Sequence, residues 1–239
     1  LDNFRIAFTW CESGGDGVVG LKLASALFWL WEGRTHLGEG RDWLRRMLRG
    51  GVEAPANVRA RGLFVSAWME MNAHDYPAAQ AAASESLAIY EALADRQHAA
   101  YAMRTLGFIA KYQDDFVTSL SLHTRSLAIC KAIGDEQGIL WGQAAVAEDM
   151  CFLGDMESAR PIFEECLSMA IKLNKIWEVA GNKRVLGDIA FAWGDYERAL
   201  TFHAESNQIQ TRFGHWESVI GLQRAMGQVL LAKGECTQS

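Results

Sequence analysis

The chain has 239 residues, half of them apolar, enough for a sizeable buried core, and only 3 prolines, which favours a mostly helical structure. Its 23 basic and 29 acidic residues give a formal charge of −6, which argues against the broad cationic footprint of a nucleic-acid or anionic-membrane binder. The longest apolar stretch, residues 26–31, is far short of the ~20 residues of a membrane helix, and no secretory signal opens the sequence. Five cysteines, Cys11, Cys130, Cys151, Cys166 and Cys236, include no CxxC pair and read as reduced thiols of a cytoplasmic protein.

In chain order, residues 1–56 are expected to form a lone N-terminal helix followed by an irregular helix pair. Arg41, Arg45 and Arg49 fall at i, i+4 and i+8 with Arg46 beside them, making a basic stripe. Opposite Trp43, Leu44, Met47 and Leu48, the stripe reads as a solvated helix face, with a nucleic acid or an acidic partner surface as the alternative. Pro55 sits in a Gly/Glu/Ala-rich connection.

From Asn57 onward the sequence repeats every forty residues. Gly194-Asp195-Tyr196-Glu197-Arg198-Ala199 follows Gly154-Asp155-Met156-Glu157-Ser158-Ala159 at that interval. Asp114-Asp115-Phe116-Val117-Thr118-Ser119 and His74-Asp75-Tyr76-Pro77-Ala78-Ala79 precede them in the same register, and Gly234-Glu235-Cys236 is a truncated further copy. Small residues recur at Ala67, Gly107, Ala147, Gly187 and Gly227, and at Ser86, Ser126, Cys166 and Ser206. Large apolar ones recur at Ile89, Ile129, Met169 and Ile209, and at Leu93, Ile133, Leu173 and Phe213. Small residues let helices approach, and large ones fill the space beside them.

Each unit reads as two helices. Met103, Leu106, Gly107 and Ala110 share one face of a helix A, and a turn near Asp115 starts a helix B whose first N–H groups Asp115 caps. Gly134, Asn174 and Gly214 mark the ends of successive B helices. Pro77 and Pro161 are placed in or near the first turn of helix B, where a missing N–H costs little.

A small residue, then Gly-Asp-Tyr-x-x-Ala, then a second small residue resembles the tetratricopeptide repeat, whose consensus length is about 34 residues. The resemblance covers residues 57–239 and implies an all-α fold, a right-handed superhelical solenoid of antiparallel helix pairs with a concave inner wall. The added residues are expected to lengthen the end of helix B and its loop. The opening segment, Leu1-Asp2-Asn3-Phe4-Arg5-Ile6-Ala7-Phe8-Thr9-Trp10, with Leu21-Lys22-Leu23-Ala24-Ser25-Ala26-Leu27-Phe28-Trp29 and Gly38-Glu39-Gly40-Arg41-Asp42-Trp43-Leu44, resembles the C-terminal repeat region of large bacterial signalling ATPases and transcriptional regulators. No GxxxxGK[ST] phosphate loop is present, so the resemblance implies a fragment separated from an ATPase or DNA-binding module.

On the repeat register the second, fifth, ninth and twelfth positions of helix A face one wall. They give Arg61, Phe64, Trp68 and Met71, then Tyr101, Arg104, Phe108 and Lys111 with Tyr112 adjacent, then Trp141, Ala144, Glu148 and Cys151. Gly181, Arg184, Asp188 and Phe191 come next, and finally Gly221, Arg224, Gln228 and Leu231. Aromatic anchors and arginines suit a protein or peptide ligand lying in the groove, without cofactor or metal. The plainer reading packs the aromatics between helices and pairs the arginines with local acids such as Asp188. His123 and His203, two repeats apart, read as packed core or surface histidines, and Glu148 with Asp188 as an acidic spot on a non-enzymatic wall. The function expected is a protein-binding signalling module. An intramolecular arm packing on its own ATPase module, a small-molecule or nucleic-acid receptor, and a homodimer through the truncated last repeat remain open beside it.

Overall fold

A computed structural model describes residues 2–32, 36–50 and 54–234; Leu1, Glu235 and Cys236 lie outside them. Every described element is a helix, and the chain divides into two compact units, Leu1–Ile139 and Leu140–Ser239.

Unit 1 opens with four helices where three are expected, α1 (Asp2–Glu12), α2 (Gly17–Ala26), α3 (Phe28–Glu32) and α4 (Leu37–Gly50). Asp16 caps α2, accepting from the Val18 and Val19 N–H groups at 2.8 and 3.2 Å, and the helix stops at Leu27, which separates α2 from the short α3. Their core holds Phe8, Leu21, Trp31 and Leu44, all fully buried. Trp31 is fixed by its indole N–H donating to the Ala24 carbonyl at 3.0 Å, and Phe8 stacks on Trp43 at 4.6 Å.

The basic stripe of α4 is a solvated face only in part: Arg46 and Arg49 are exposed, whereas Arg41 and Arg45 are engaged by acids. Arg41 and Arg45 converge on Glu70, a carboxylate only 3% exposed, with both Nε atoms at 2.9 Å from its oxygens. Asp75 stands 3.6 Å from both guanidinium groups. Arg46, itself exposed, lies 3.6 Å over the Trp43 ring and pairs with Glu12, and Arg49 is exposed as well.

The repeats are α5 (Ala56–Asn72), α6 (Tyr76–Ala92), α7 (Arg96–Tyr112), α8 (Phe116–Ile133) and α9 (Glu136–Phe152). Unit 2 begins within α9, at Leu140, and continues with α10 (Met156–Lys172), α11 (Ile176–Ala192), α12 (Tyr196–Arg212) and α13 (Trp216–Lys233). From α5 on, helices begin every twenty residues, so the extra length is shared between helix A and helix B and is not confined to the end of helix B. A left-handed residue recurs at the same interval, at His74, Ala94, Asp114, Gly134, Gly154, Asn174, Gly194, Gly214 and Gly234. These turns reverse the chain in two or three residues, and Asp75, Asp115, Asp155 and Asp195 cap the B helices through the N–H three residues on. Pro77 occupies the first turn of α6 as expected, whereas Pro161 is inside α10 and removes the helical donor to the Glu157 carbonyl.

The two columns of small residues have different physical causes. In helix B, the hydroxyls of Ser86, Ser126 and Ser206 donate to the carbonyls of Ala60, Ala100 and Ala180 at 2.7–2.8 Å, tying each B helix to its own A helix. Cys166 keeps the contact only as a 3.9 Å S–H bond to Leu140. In helix A, Gly107 and Gly187 make room for the buried rings of His123 and His203, which a Cβ would meet at 2.2–2.5 Å. Where helix A carries Ala147, the facing residue is Phe163, and Ala67 faces Ala83.

Unit 2 breaks the pattern once. Leu87, Leu127 and Leu167 are followed in register by Asn207, and Tyr90, Cys130 and Ala170 by Gln210. Asn207 Oδ1 and Gln210 Oε1 are buried with no hydrogen-bond partner among the described residues, a cost of ~1–3 kcal/mol for each such group. Asn207→Leu is therefore expected to raise stability by about 1 kcal/mol in chemical denaturation, and an unchanged midpoint would count against that account.

Candidate binding surface

In unit 1 the wall positions of α5 and α7 form a continuous aromatic and cationic surface. Trp68 meets Phe108 at 5.7 Å with a 58° tilt, and both remain partly exposed. Arg61 is exposed, its guanidinium carbon 5.4 Å from the Phe64 ring centre. Arg104 lies between Tyr101 and Phe108 at 5.7 and 5.9 Å, and the Lys111 ammonium lies 4.7 Å over Phe108 and 5.8 Å from Tyr112. Such cation–π contacts hold long side chains flat against the rings. Arg104 and Lys111 are each only 9% exposed, so Arg61 is the wall cation of this unit that stands out into solvent.

Tyr101 donates to Asp135 Oδ2 at 2.6 Å, and Gln97 donates to the Tyr101 oxygen at 3.3 Å. Burial, then the Asp135 contact, pushes the Tyr101 hydroxyl above its ordinary range, so it stays a neutral donor. Burial also works to raise Asp135, but the bonds from Tyr101 and the Gly138 N–H outweigh it and the net shift is downward. Tyr112 is exposed and stacks on Tyr76 at 6.3 Å with the planes 8° apart.

The wall of unit 2 differs in chemistry. The Trp141 indole donates to Glu178 at 2.9 Å. Arg184 donates to Asp188 at 3.0 Å and lies 3.7 Å from Glu148, while Asp188 also accepts from buried His203 at 3.1 Å. The two carboxylates thus sit either side of an arginine in an ion-pair cluster. Burial, reinforced by Glu148, Asp155 and Asp188, pushes the neighbouring Cys151 thiol up to about 11, far from a reactive thiolate. Arg224 is exposed on α13, where Trp216, Ile220 and Leu231 are exposed too. Arg104, Arg184 and Arg224 share a register column but occupy three environments, buried on rings, ion-paired, and solvent-facing.

A shallow groove lined by Glu157, Arg160, Pro161, Glu164 and Trp193 also opens on unit 2. Arg160 already lies over Trp193 and pairs with Glu164 at 3.1 Å, so its charge is met internally. Helix register also fails to identify Phe28, whose ring meets Trp68 edge-on at 6.4 Å. It lies in the opening segment, outside the forty-residue repeat, where no register marks which side faces the wall.

Equal helix pairs, left-handed turns at fixed intervals and interhelical hydroxyl bonds define a tetratricopeptide-like helical-repeat fold. No protein-family model matches the chain. It is 28% identical over 182 residues to proteins of Mycobacterium tuberculosis and Mycobacterium bovis named as HTH-type transcriptional regulators, covering 71% of this chain. The chain spans about 20% of the length of these relatives. Among solved structures, NprR in complex with its cognate peptide NprX aligns with TM-score 0.70 at 13% identity, covering 98% of this chain and 70% of that one. A STAND protein with a tetratricopeptide-repeat sensor, PH0952 from Pyrococcus horikoshii, aligns with TM-score 0.69 at 14% identity over 95% of this chain and 36% of its own. Apo RapI aligns with TM-score 0.66 at 12% identity, covering 95% and 88%. At these identities the structures establish the fold.

Proposed function

We propose that the helix A face of unit 1 binds a protein or peptide segment, and that the chain is the sensing or interaction arm of a larger regulator. The observation that carries this is the Trp68–Phe108 row, which keeps large aromatic rings partly in solvent beside the exposed Arg61. A soluble surface retains such a patch at a cost in hydration unless a partner covers it. Trp and Arg are also the side chains most enriched among residues that dominate binding energy. The peptide complex of NprR supports a peptide ligand on this fold, and the HTH-type regulators support a regulatory setting. A second reading, favoured by the STAND neighbour, seats the same face on another module of a longer polypeptide. The Arg41 and Arg45 contacts to Glu70 remove the main support for a nucleic-acid receptor.

Panning a displayed library of random 12-residue peptides on the 239-residue chain tests the reading. Enriched peptides are expected to lose at least tenfold in affinity, by fluorescence anisotropy, with Trp68→Ala or Arg61→Ala. Arg61 is exposed, so its variant separates binding from folding. Enriched peptides indifferent to both variants would remove this face as the site.

A further inference from the structure

Trp29 and Trp31 lie two residues apart on α3, a spacing that puts them on opposite faces of the helix. Trp31 enters the core, whereas Trp29 is 78% exposed, the most exposed large apolar side chain among the described residues. Phe28 packs against the core of the opening segment, and Trp68 and Phe108 against the core of the first repeats, so one side of each ring is held by the protein and the other is left partly in solvent. Trp29 belongs to none of these clusters. Its ring contact is with Phe28, 4.9 Å away at 66°. Phe28 in turn meets Trp68 at 6.4 Å, and Trp68 meets Phe108 at 5.7 Å. Four rings therefore form a continuous chain of contacts from α3 through α5 to α7.

We propose that Trp29 and Phe28 form the far end of the binding wall, and that its occupant is an extended peptide with apolar side chains at alternate positions and a carboxylate. The inference rests on the peptide-binding reading of unit 1. An extended chain advances about 3.3 Å per residue, so side chains on one face recur every ~6.6 Å. The Phe28–Trp68 and Trp68–Phe108 steps of 6.4 and 5.7 Å are close to that spacing, and Trp29, only 4.9 Å from Phe28, shares with it the last apolar side chain of the row. The charge of the wall selects the polar group of the ligand. Its α5 and α7 positions carry Arg61, Arg104 and Lys111 and no Asp or Glu. A guanidinium as exposed as that of Arg61 can take a side-chain or terminal carboxylate through two parallel N–H bonds. A rigid indole that is already in solvent loses little side-chain freedom on contact, which makes Trp29 an anchor at low entropic cost.

The test measures peptides enriched on the 239-residue chain against Trp29→Ala, Trp29→Phe and Trp68→Ala. Trp29→Ala is expected to weaken them at least tenfold, Trp29→Phe to restore most of the loss, and the thermal transition to stay in place because the side chain lies in solvent. Cutting the terminal apolar residue from the peptide should then make Trp29→Ala silent, since the two changes remove one contact. If Trp68→Ala abolishes binding while Trp29→Ala stays within twofold, the extension to α3 is wrong and the wall reading stands. Peptides insensitive to both variants overturn the wall reading itself. A dimer in light scattering that Trp29→Ala dissolves would make a second copy the occupant and overturn the peptide assignment.

Discussion

Glu70→Ala is expected to destabilise unit 1 by about 2–3 kcal/mol, the largest effect of any single charge in that unit. The Glu70 carboxylate is 3% exposed, and the guanidiniums of Arg41 and Arg45 both close on it. Removing one partner of a buried pair costs ~3–5 kcal/mol because the other charge is left uncompensated. That figure is discounted here because the two arginines are 22% and 39% exposed and Asp75 remains within 3.6 Å of both. Glu70→Gln keeps the shape and loses the charge, so an intermediate loss is expected. Arg49→Ala, at the exposed end of the same stripe, should stay within ~0.5 kcal/mol. Urea unfolding followed by circular dichroism checks all three, and a Glu70→Ala midpoint equal to that of Arg49→Ala would show that the cluster contributes nothing to stability. The cluster also joins α4 to α5 and to Asp75, the cap of α6, which makes it a polar tie between the opening segment and the first repeat.

The architecture was legible wherever it depends on local chemistry. Left-handed turns need glycine, asparagine or an equivalent, and helix starts need an acceptor such as Asp115, so both leave residue-type signals at fixed intervals. Ala94 is the exception, at φ 55 with no polar side chain to mark it. Contacts between distant segments leave weaker traces. Arg41 and Arg45 read as solvent-facing because their partner lies in another helix, although a lone acid inside Trp68-Met69-Glu70-Met71 was the available clue. The wall positions of α5 and α7 followed from helix register. Register alone does not distinguish Arg104 from Arg184, because the difference comes from the residue four further on, Phe108 in one repeat and Asp188 in the other. Phe28 and Trp29 escaped notice because α3 belongs to no repeat. The small columns were visible, but size alone could not separate a serine that donates across the helix pair from a glycine that admits a ring.

That last distinction leads to opposite outcomes for one substitution within one column. Gly107→Ala is expected to destabilise by about 2 kcal/mol, since the new methyl would meet the His123 ring at 2.4–2.5 Å. The overpacking outweighs the ~1 kcal/mol that alanine gains over glycine in a helix interior. Displacing the ring would also disturb the bond from His123 Nε2 to the Arg104 carbonyl at 3.2 Å, just beneath the wall. At Gly227, in the same column, an added Cβ meets nothing within 4 Å, so Gly227→Ala should stabilise by about 1 kcal/mol. His123→Ala alone leaves a cavity costing roughly 2–4 kcal/mol, yet the Gly107→Ala/His123→Ala pair reproduces the Ala67 and Ala83 arrangement of the first repeat. The double variant is therefore expected to recover at least ~1 kcal/mol relative to the sum of the single losses. Hydrogen exchange resolved along the chain, read on α7, α8 and α13, measures each change locally and avoids assuming that the two units unfold together. Additive losses at Gly107 and His123 would show that the glycine does not serve to admit the ring.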